Sequence, residues 1–297
     1  MPPNPSHPPP PPKPTHLSQP PGSTVLVAGA TGGVGQLVTA KLLDRGYKVV
    51  ALARSAPRAK ELLGGLSGAT DATLRVAEAD MRDPQSLARL FSGPAAGVDA
   101  VVCSTGTTAF PSDRWNGNNG PRPTDLDGNL NLINACPRAS SSALKRFLLV
   151  TSAGVERQDQ FPWFVLNLYG VLTFKRAAEI ALEESGLPFT VLRPSRLVDG
   201  PYTSRDLNTL LRATSAAQGL KGVAMIEGDA FKGGQASRVA VAEACVQALQ
   251  TPAAEGRAFA IESGRGEEGG LGVATGEPGV EPAAWEALFR KAARVRA

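Results

Sequence analysis

A glycine motif, Gly29-Ala30-Thr31-Gly32-Gly33-Val34-Gly35, constrains this chain more than any other feature. It follows an apolar run, Thr24 to Ala28, and precedes an amphipathic stretch, Gln36 to Leu43. Strand, glycine turn and helix, in that order, are the context that makes such a motif a phosphate site. A turn without Cβ atoms lets backbone N–H groups approach a pyrophosphate. The helix N-terminus then adds unpaired N–H groups and the positive end of its dipole. The motif therefore predicts a nicotinamide dinucleotide site, with Gly29, Thr31, Gly32, Gly33, Val34 and Gly35 around the phosphates. The alternative reading is a glycine-rich turn with no ligand.

The rest of the chain suits that architecture. Further strands are expected at Tyr47–Ala53, Leu74–Ala79, Asp99–Cys103, Arg146–Thr151, Phe189–Leu192 and Ala258–Glu262. Between them, Asp83-Pro84 opens a helix, since Asp caps free N–H groups and Pro suits the first turn. Thr124–Ala135, Val165–Ser185 and Arg238–Leu249 also read as helices, the second ended by Gly186 and Pro188. Alternation of this kind predicts an α/β fold with a doubly wound, mostly parallel sheet (a Rossmann fold), helices on both faces and a small C-terminal extension.

The Rossmann domain is assigned to 23–263, with a small substrate-side lobe from about residue 194. Residues 1–22 hold eleven of the 25 prolines and read as a disordered or polyproline tail, a tether or a ligand for a proline-reading domain. The glycine- and glutamate-rich stretch 264–282 reads as a flexible loop, and 283–297 as a last amphipathic helix. No apolar run approaches the roughly 20 residues of a membrane-spanning helix. The net charge of +4 is mild and scattered, which suits a solvated surface better than nucleic acid. Cys103, Cys136 and Cys245 lie far apart without metal-ligand spacing, so no metal is expected and the thiols read as free.

An acidic residue that holds the adenine ribose of NAD is expected about 20 residues past the glycine motif. Here that place reads Leu52-Ala53-Arg54-Ser55, with Arg58 and Lys60 beyond. A carboxylate would repel a 2′-phosphate, whereas a guanidinium can bind one bidentately. NADP is thus the expected cofactor and NAD the second choice, unless Arg54 is an ordinary solvated charge. Asp80-Met81 ends the third strand, where an adenine edge would lie. Thr105 and Gly106 follow the fourth, beside the cofactor ribose.

Together these residues resemble the short-chain dehydrogenase/reductase superfamily, in its atypical, extended-like branch. The carriers are the 29–35 motif, Asp80-Met81, Val150-Thr151-Ser152-Ala153-Gly154-Val155, Lys175 and Leu192-Arg193-Pro194-Ser195. Gly106-Thr107-Thr108-Ala109-Phe110-Pro111, Arg114-Trp115-Asn116 and Asp199-Gly200-Pro201-Tyr202-Thr203 are similar to a plant and algal plastid group of NAD(P)-binding Rossmann proteins. The resemblance implies a cofactor contact at Pro194 and a chloroplast location, in the stroma or at a membrane; without it the chain reads as cytoplasmic.

The superfamily's chemistry pairs a Tyr with a Lys four residues later on one helix face. Here Lys175 is present but the residue four before it is Val171, which has no proton to give. Tyr169 is six residues before Lys175, which turns a helix by about 600° and places the two on separate faces. Ser152 and Lys175 remain as catalytic candidates. Ser152 and Thr151 either bond a substrate carbonyl or cap a strand end. Lys175 either binds the nicotinamide ribose or is a surface lysine. Trp115, Phe110 and Tyr202 suit an apolar wall or a loop over the nicotinamide, or simple packing. Whether the chain is an enzyme is left open. One reading is a reductase of a quinone or carbonyl; the other is a catalytically silent nucleotide-binding regulatory or assembly protein with a plastid protein partner.

Overall fold

The computed structural model describes residues 20–138, 144–199, 223–231, 233–263, 274–276 and 282–294. Among the described residues there are eleven strands: β1 Thr24–Ala28, β2 Lys48–Ala53, β3 Leu74–Glu78, β4 Ala100–Cys103, β5 Arg146–Val150, β6 Phe189–Pro194, β7 Arg196–Val198, β8 Val223–Glu227, β9 Gln235–Ser237, β10 Arg257–Ser263 and β11 Ala274–Gly276. The helices are α1 Gly33–Asp44, α2 Ala56–Leu63, α3 Pro84–Ser92, α4 Gly128–Ala135, α5 Trp163–Leu166, α6 Val171–Glu184, α7 Arg238–Gln250 and α8 Pro282–Arg294.

Nine strands form one sheet in the order β11-β8-β10-β6-β5-β4-β1-β2-β3. From β3 to β10 every pairing is parallel, and the order reverses at β1, between β2 and β4. Antiparallel β8 and β11 extend the far edge. The expected doubly wound sheet is therefore present.

Parallel strands buried on both faces read as continuous apolar runs. Along β1, Val25 and Val27 join the core under α1, α7 and α8, while Leu26 and Ala28 join the opposite core under α3, α4 and α6. Phe147 and Leu149 alternate with Leu148 and Val150 in the same way along β5. Fully burying each such large side chain stabilises the fold by roughly 1.5–3 kcal/mol.

Helices α1 and α7 pack side by side in the same direction. Buried Glu243 on α7 accepts from Lys41 at 2.9 Å and pairs with Arg45 at 2.6 Å. Burial pushes its carboxyl up, but the two cations outweigh that and hold it below the usual carboxylate range.

Three expectations change. The single helix over 165–185 is two: α5 ends at Leu166, and α6 begins at Val171 after a turn in which Gly170 has φ +77°. Asn167 closes that turn, its Oδ1 accepting from the Leu172 and Thr173 N–H groups. The expected loop 264–282 contains β11, whose partner is β8, a strand the apolar pattern did not single out. The last helix begins at Pro282, one residue early. Residues 1–19 of the tail, and the rest of that loop up to 281, lie outside the described residues.

Candidate functional site

The carboxyl ends of β1, β2, β3 and β4 open onto a cleft of about 630 Å³. Of the expected site residues, Gly29, Thr31, Gly32, Arg54, Asp80, Met81, Thr105 and Gly106 line it. Gly33, Val34 and Gly35 form the first turn of α1 behind that lining. The turn is closed by Gly32 N–H to Gly29 O at 2.8 Å and by Gln36 Nε2 to Thr31 O at 2.9 Å. A Cβ at position 35 would lie 2.1 Å from the Gly29 carbonyl oxygen, so helix and strand meet only because residue 35 is glycine. No side chain caps the α1 N-terminus and no acidic residue stands in its first turn. Its N–H groups face the cleft as an anion site.

The β2 end of the cleft is cationic. Arg54, Arg58, Arg82 and Arg114 all line it. Arg54 Nη1 donates to Asn119 Oδ1. Arg82 grips Asp80 with two parallel bonds, 3.0 and 2.6 Å, and donates to the Gly117 and Asn118 carbonyls at 2.8 and 2.9 Å. The Arg82 hydrogen bonds hold the Asp80 carboxyl below its ordinary range. Asp80 is thereby balanced by Arg82, leaving Arg54, Arg58 and Arg114 as the cations facing whatever enters. Arg82 and Asn119 escaped the sequence reading, and Arg114 entered it only within the string Arg114-Trp115-Asn116, with no role at the cofactor. They come from loops after β3 and β4, where chain spacing does not tell which side chains turn into the cleft.

The other half of the site is bound up in internal contacts. Lys175 is on α6, in its expected place, but it is nearly buried and its Nζ lies 2.5 Å from Asp125 Oδ1. Asp125 comes from a wide π-helical turn, Arg122–Asp127, that leads into α4. Such turns cluster at functional sites. Burial pushes the Asp125 carboxyl up, against the pull of the Lys175 ammonium. Both groups lie beneath Gly106, where a Cβ would stand 2.9 Å from Nζ and 3.2 Å from Oδ1. Asp125 was not anticipated; its signal was an acidic residue inside the otherwise apolar face of Leu126, Leu132 and Ile133.

Thr151 is not free for a substrate, since its Oγ1 donates to Glu179 Oε1 at 2.5 Å. Glu179, fully buried on α6, also takes Arg193 of β6 through bonds of 3.1 and 2.7 Å. Burial opposes the Arg193 charge, but Glu179 and Glu156 outweigh it and raise the guanidinium above its ordinary pKa. Ser152 Oγ donates to the Ala153 carbonyl at 3.0 Å. Pro194 is buried at the end of β6, its carbonyl accepting from Ala153 N–H at 2.9 Å, and does not line the cleft. Val171 is buried at the start of α6.

Tyr169 lies outside the helix, so helical spacing does not fix its direction. It packs edge-on against Trp115, centroids 5.3 Å apart, and Phe110, 6.3 Å. Tyr202 lies outside the described residues.

The arrangement fits a dinucleotide. An uncapped helix end awaits phosphates and a cationic rim stands at the β2 end. Around Gly106, Thr107 Oγ1, Thr124 Oγ1 and Asp125 Oδ2 are buried without hydrogen-bond partners among the described residues. Among the described residues, no His, Cys, Asp and Glu cluster could hold a metal. Among them, too, no helix is long and apolar enough to cross a membrane.

Fold and cleft thus define a nucleotide-binding Rossmann protein. The chain belongs to the NAD(P)H-binding family, whose profile it matches over residues 29–252. It is 35% identical over 235 residues to the rice (Oryza sativa subsp. japonica) protein TIC 62, chloroplastic, covering 75% of this chain and 42% of that protein. The chain therefore spans less than half the length of that relative. It is 28% identical over 289 residues to sanguinarine reductase of Eschscholzia californica, covering 85% of this chain and 92% of that protein. Among solved structures, ChuY, an anaerobillin reductase from Escherichia coli O157:H7, shares the fold with a TM-score of 0.58 at 19% identity, over 83% of this chain and all of that one. The resemblance read from the motifs, an atypical short-chain dehydrogenase/reductase with plastid relatives, is borne out.

Proposed function

We propose that the chain is an NADP(H)-dependent reductase of a quinone or carbonyl acceptor, located in the plastid. The observation that carries the cofactor choice is Arg54 at the end of β2, beside Arg58, with the carboxylate of the cleft lining, Asp80, already gripped by Arg82. A 2′-phosphate dianion is attracted to that end, whereas the ribose diol of NAD meets a carboxylate that Arg82 already engages. Gly29 to Gly35 and the α1 N-terminus would hold the pyrophosphate, and Gly106 and Lys175 the nicotinamide ribose. The bound dinucleotide supplies a hydride. The chain's own part is to hold the acceptor, and the edge-packed Phe110, Trp115 and Tyr169 offer it an apolar wall. With Val171 in the tyrosine position, the acceptor takes its proton from water, which suits a polarised acceptor.

The plastid location rests on the likeness to chloroplastic relatives. The test is NADPH oxidation by the purified chain against a panel of quinones and carbonyls. Turnover above background supports the reading; bound nucleotide with no turnover on any acceptor overturns it.

One observation favours a second reading. Thr151, Ser152 and Lys175 are all engaged by internal partners, which suits a silent nucleotide sensor or assembly protein. In that case the dinucleotide stabilises the fold by mass action and a protein partner reads the bound state.

A further inference from the structure

The dinucleotide site proposed above lies at the N-terminus of α1, and a second cationic element stands there. Arg238 is the first residue of α7, after the Ser237 cap. Its Nε and Cδ lie 2.9 and 3.0 Å from the point where a Cβ of Gly33 would be. The guanidinium therefore rests on the first turn of α1, in space that any other residue at position 33 would occupy. Its Nη1 donates to the Val198 carbonyl at 2.9 Å and to the Asp199 carbonyl, which leaves Nε and Nη2 without partners among the described residues.

The electrostatics of this point are unbalanced. Helices α1 and α7 run in the same direction with adjacent N-termini, so two positive dipole ends converge. Arg238 adds a full charge between them, at a helix end where a cation is itself unfavourable. Among the described residues, its carboxylate partner is Asp199, 3.7 Å from Arg238 Nη1. Asp199 Oδ1 and Oδ2 already accept from the Arg238 N–H at 2.7 Å and the Ser237 hydroxyl at 2.8 Å. Among the described residues, this region has two helix N-termini, one guanidinium and one carboxylate already engaged.

We propose that Arg238 binds the nicotinamide-side phosphate of the dinucleotide, reaching it across Gly33 from the opposite side to Arg54. Arg54 follows β2, on the adenine side of β1, whereas Arg238 is held by β7, which follows β6. The two arginines thus hold different phosphates of one ligand: Arg54 the 2′-phosphate, Arg238 the phosphate next to the nicotinamide ribose. This rests on dinucleotide binding at the glycine motif and is independent of the choice between NADP(H) and NAD(H).

The test is calorimetric titration of the full chain with NADPH, NADH and 2′,5′-ADP, the last lacking the nicotinamide half. Arg238→Met should weaken NADPH and NADH by the same factor, about tenfold for one charge-assisted contact. It should leave 2′,5′-ADP within twofold of wild type, which also shows that the variant is folded. Arg238→Lys should recover most of the loss, because the charge returns. Unchanged NADPH affinity in Arg238→Met overturns the proposal, as does an equal loss of 2′,5′-ADP. Wild-type chain that binds none of the three ligands would instead overturn the underlying nucleotide-binding reading.

Discussion

Lys175 Nζ lies 2.5 Å from Asp125 Oδ1, and the pair is buried beneath Gly106. The lysine kept from the Tyr–Lys arrangement therefore has a carboxylate for its neighbour where Val171 takes the place of the tyrosine. Removing one member of a buried pair leaves the other charge uncompensated. Asp125→Ala should lower stability by about 3–5 kcal/mol, read as a fall in the urea midpoint. Asp125→Asn keeps the shape and an acceptor and should cost less. An unmoved midpoint in the alanine variant would mean that the ion pair does not form in solution.

Restoring the tyrosine should not restore standard chemistry. Val171 is 3% exposed and packs with Ala153, Trp163 and Leu172. Val171→Tyr must push a phenol into that cluster, an overpacking that costs about 1–3 kcal/mol. Thermal denaturation should show the loss, and NADPH oxidation should not rise. A variant as stable as wild type and more active would show that position 171 opens toward the cofactor.

Charge reversal at the β2 end separates the two cofactors. Arg54→Asp should weaken NADPH at least tenfold, on the scale of a lost charge-assisted contact plus repulsion, and spare NADH. Fluorescence titration of each reduced nucleotide reads this directly. Equal losses for both would place Arg54 away from the 2′-phosphate.

The glycine turn is predicted to tolerate almost nothing at position 35. A Cβ there would come within 2.1 Å of a backbone carbonyl, and no flexible side chain can yield. Gly35→Ala should abolish binding of both nucleotides and lower the thermal midpoint. Wild-type affinity in this variant would mean that α1 can shift away from β1 without losing the site.

All three thiols should be silent in the native protein. Cys103, Cys136 and Cys245 are buried, and burial pushes the Cys136 thiol up to about 12. The thiolate is the reactive form, so raising the pH to 8 should not populate it. Mass spectrometry after a thiol reagent at pH 8 should find no label on folded chain and three after denaturation. Rapid labelling of native protein would contradict the packing around β4, α4 and α7.

Much of the fold was legible because its signals are local. Buried parallel strands are continuous apolar runs, and the glycine motif is one strand–turn–helix unit. The misses have one physical cause. The helix over 165–185 breaks because Gly170 adopts a positive φ and Asn167 captures two N–H groups, a local competition that the apolar pattern does not register. β8 pairs with β10, and β11 at the sheet edge pairs in turn with β8, so each is a strand only through a partner supplied from elsewhere in the chain. Asp125, Arg82 and Arg238 carry no motif, and each takes its meaning from the group it meets.

The sequence by itself determined the dinucleotide cleft. Its glycines, the uncapped helix and Arg54 act through spacing along the chain, which short segments encode. Tertiary structure decided the state of the chemistry. Lys175 meets Asp125 and Thr151 meets Glu179 only because the sheet order brings α6 against the turn before α4 and against β5 and β6. Whether a buried charge or hydroxyl is engaged depends on what lies within about 3 Å of it, and separation along the chain does not report that distance.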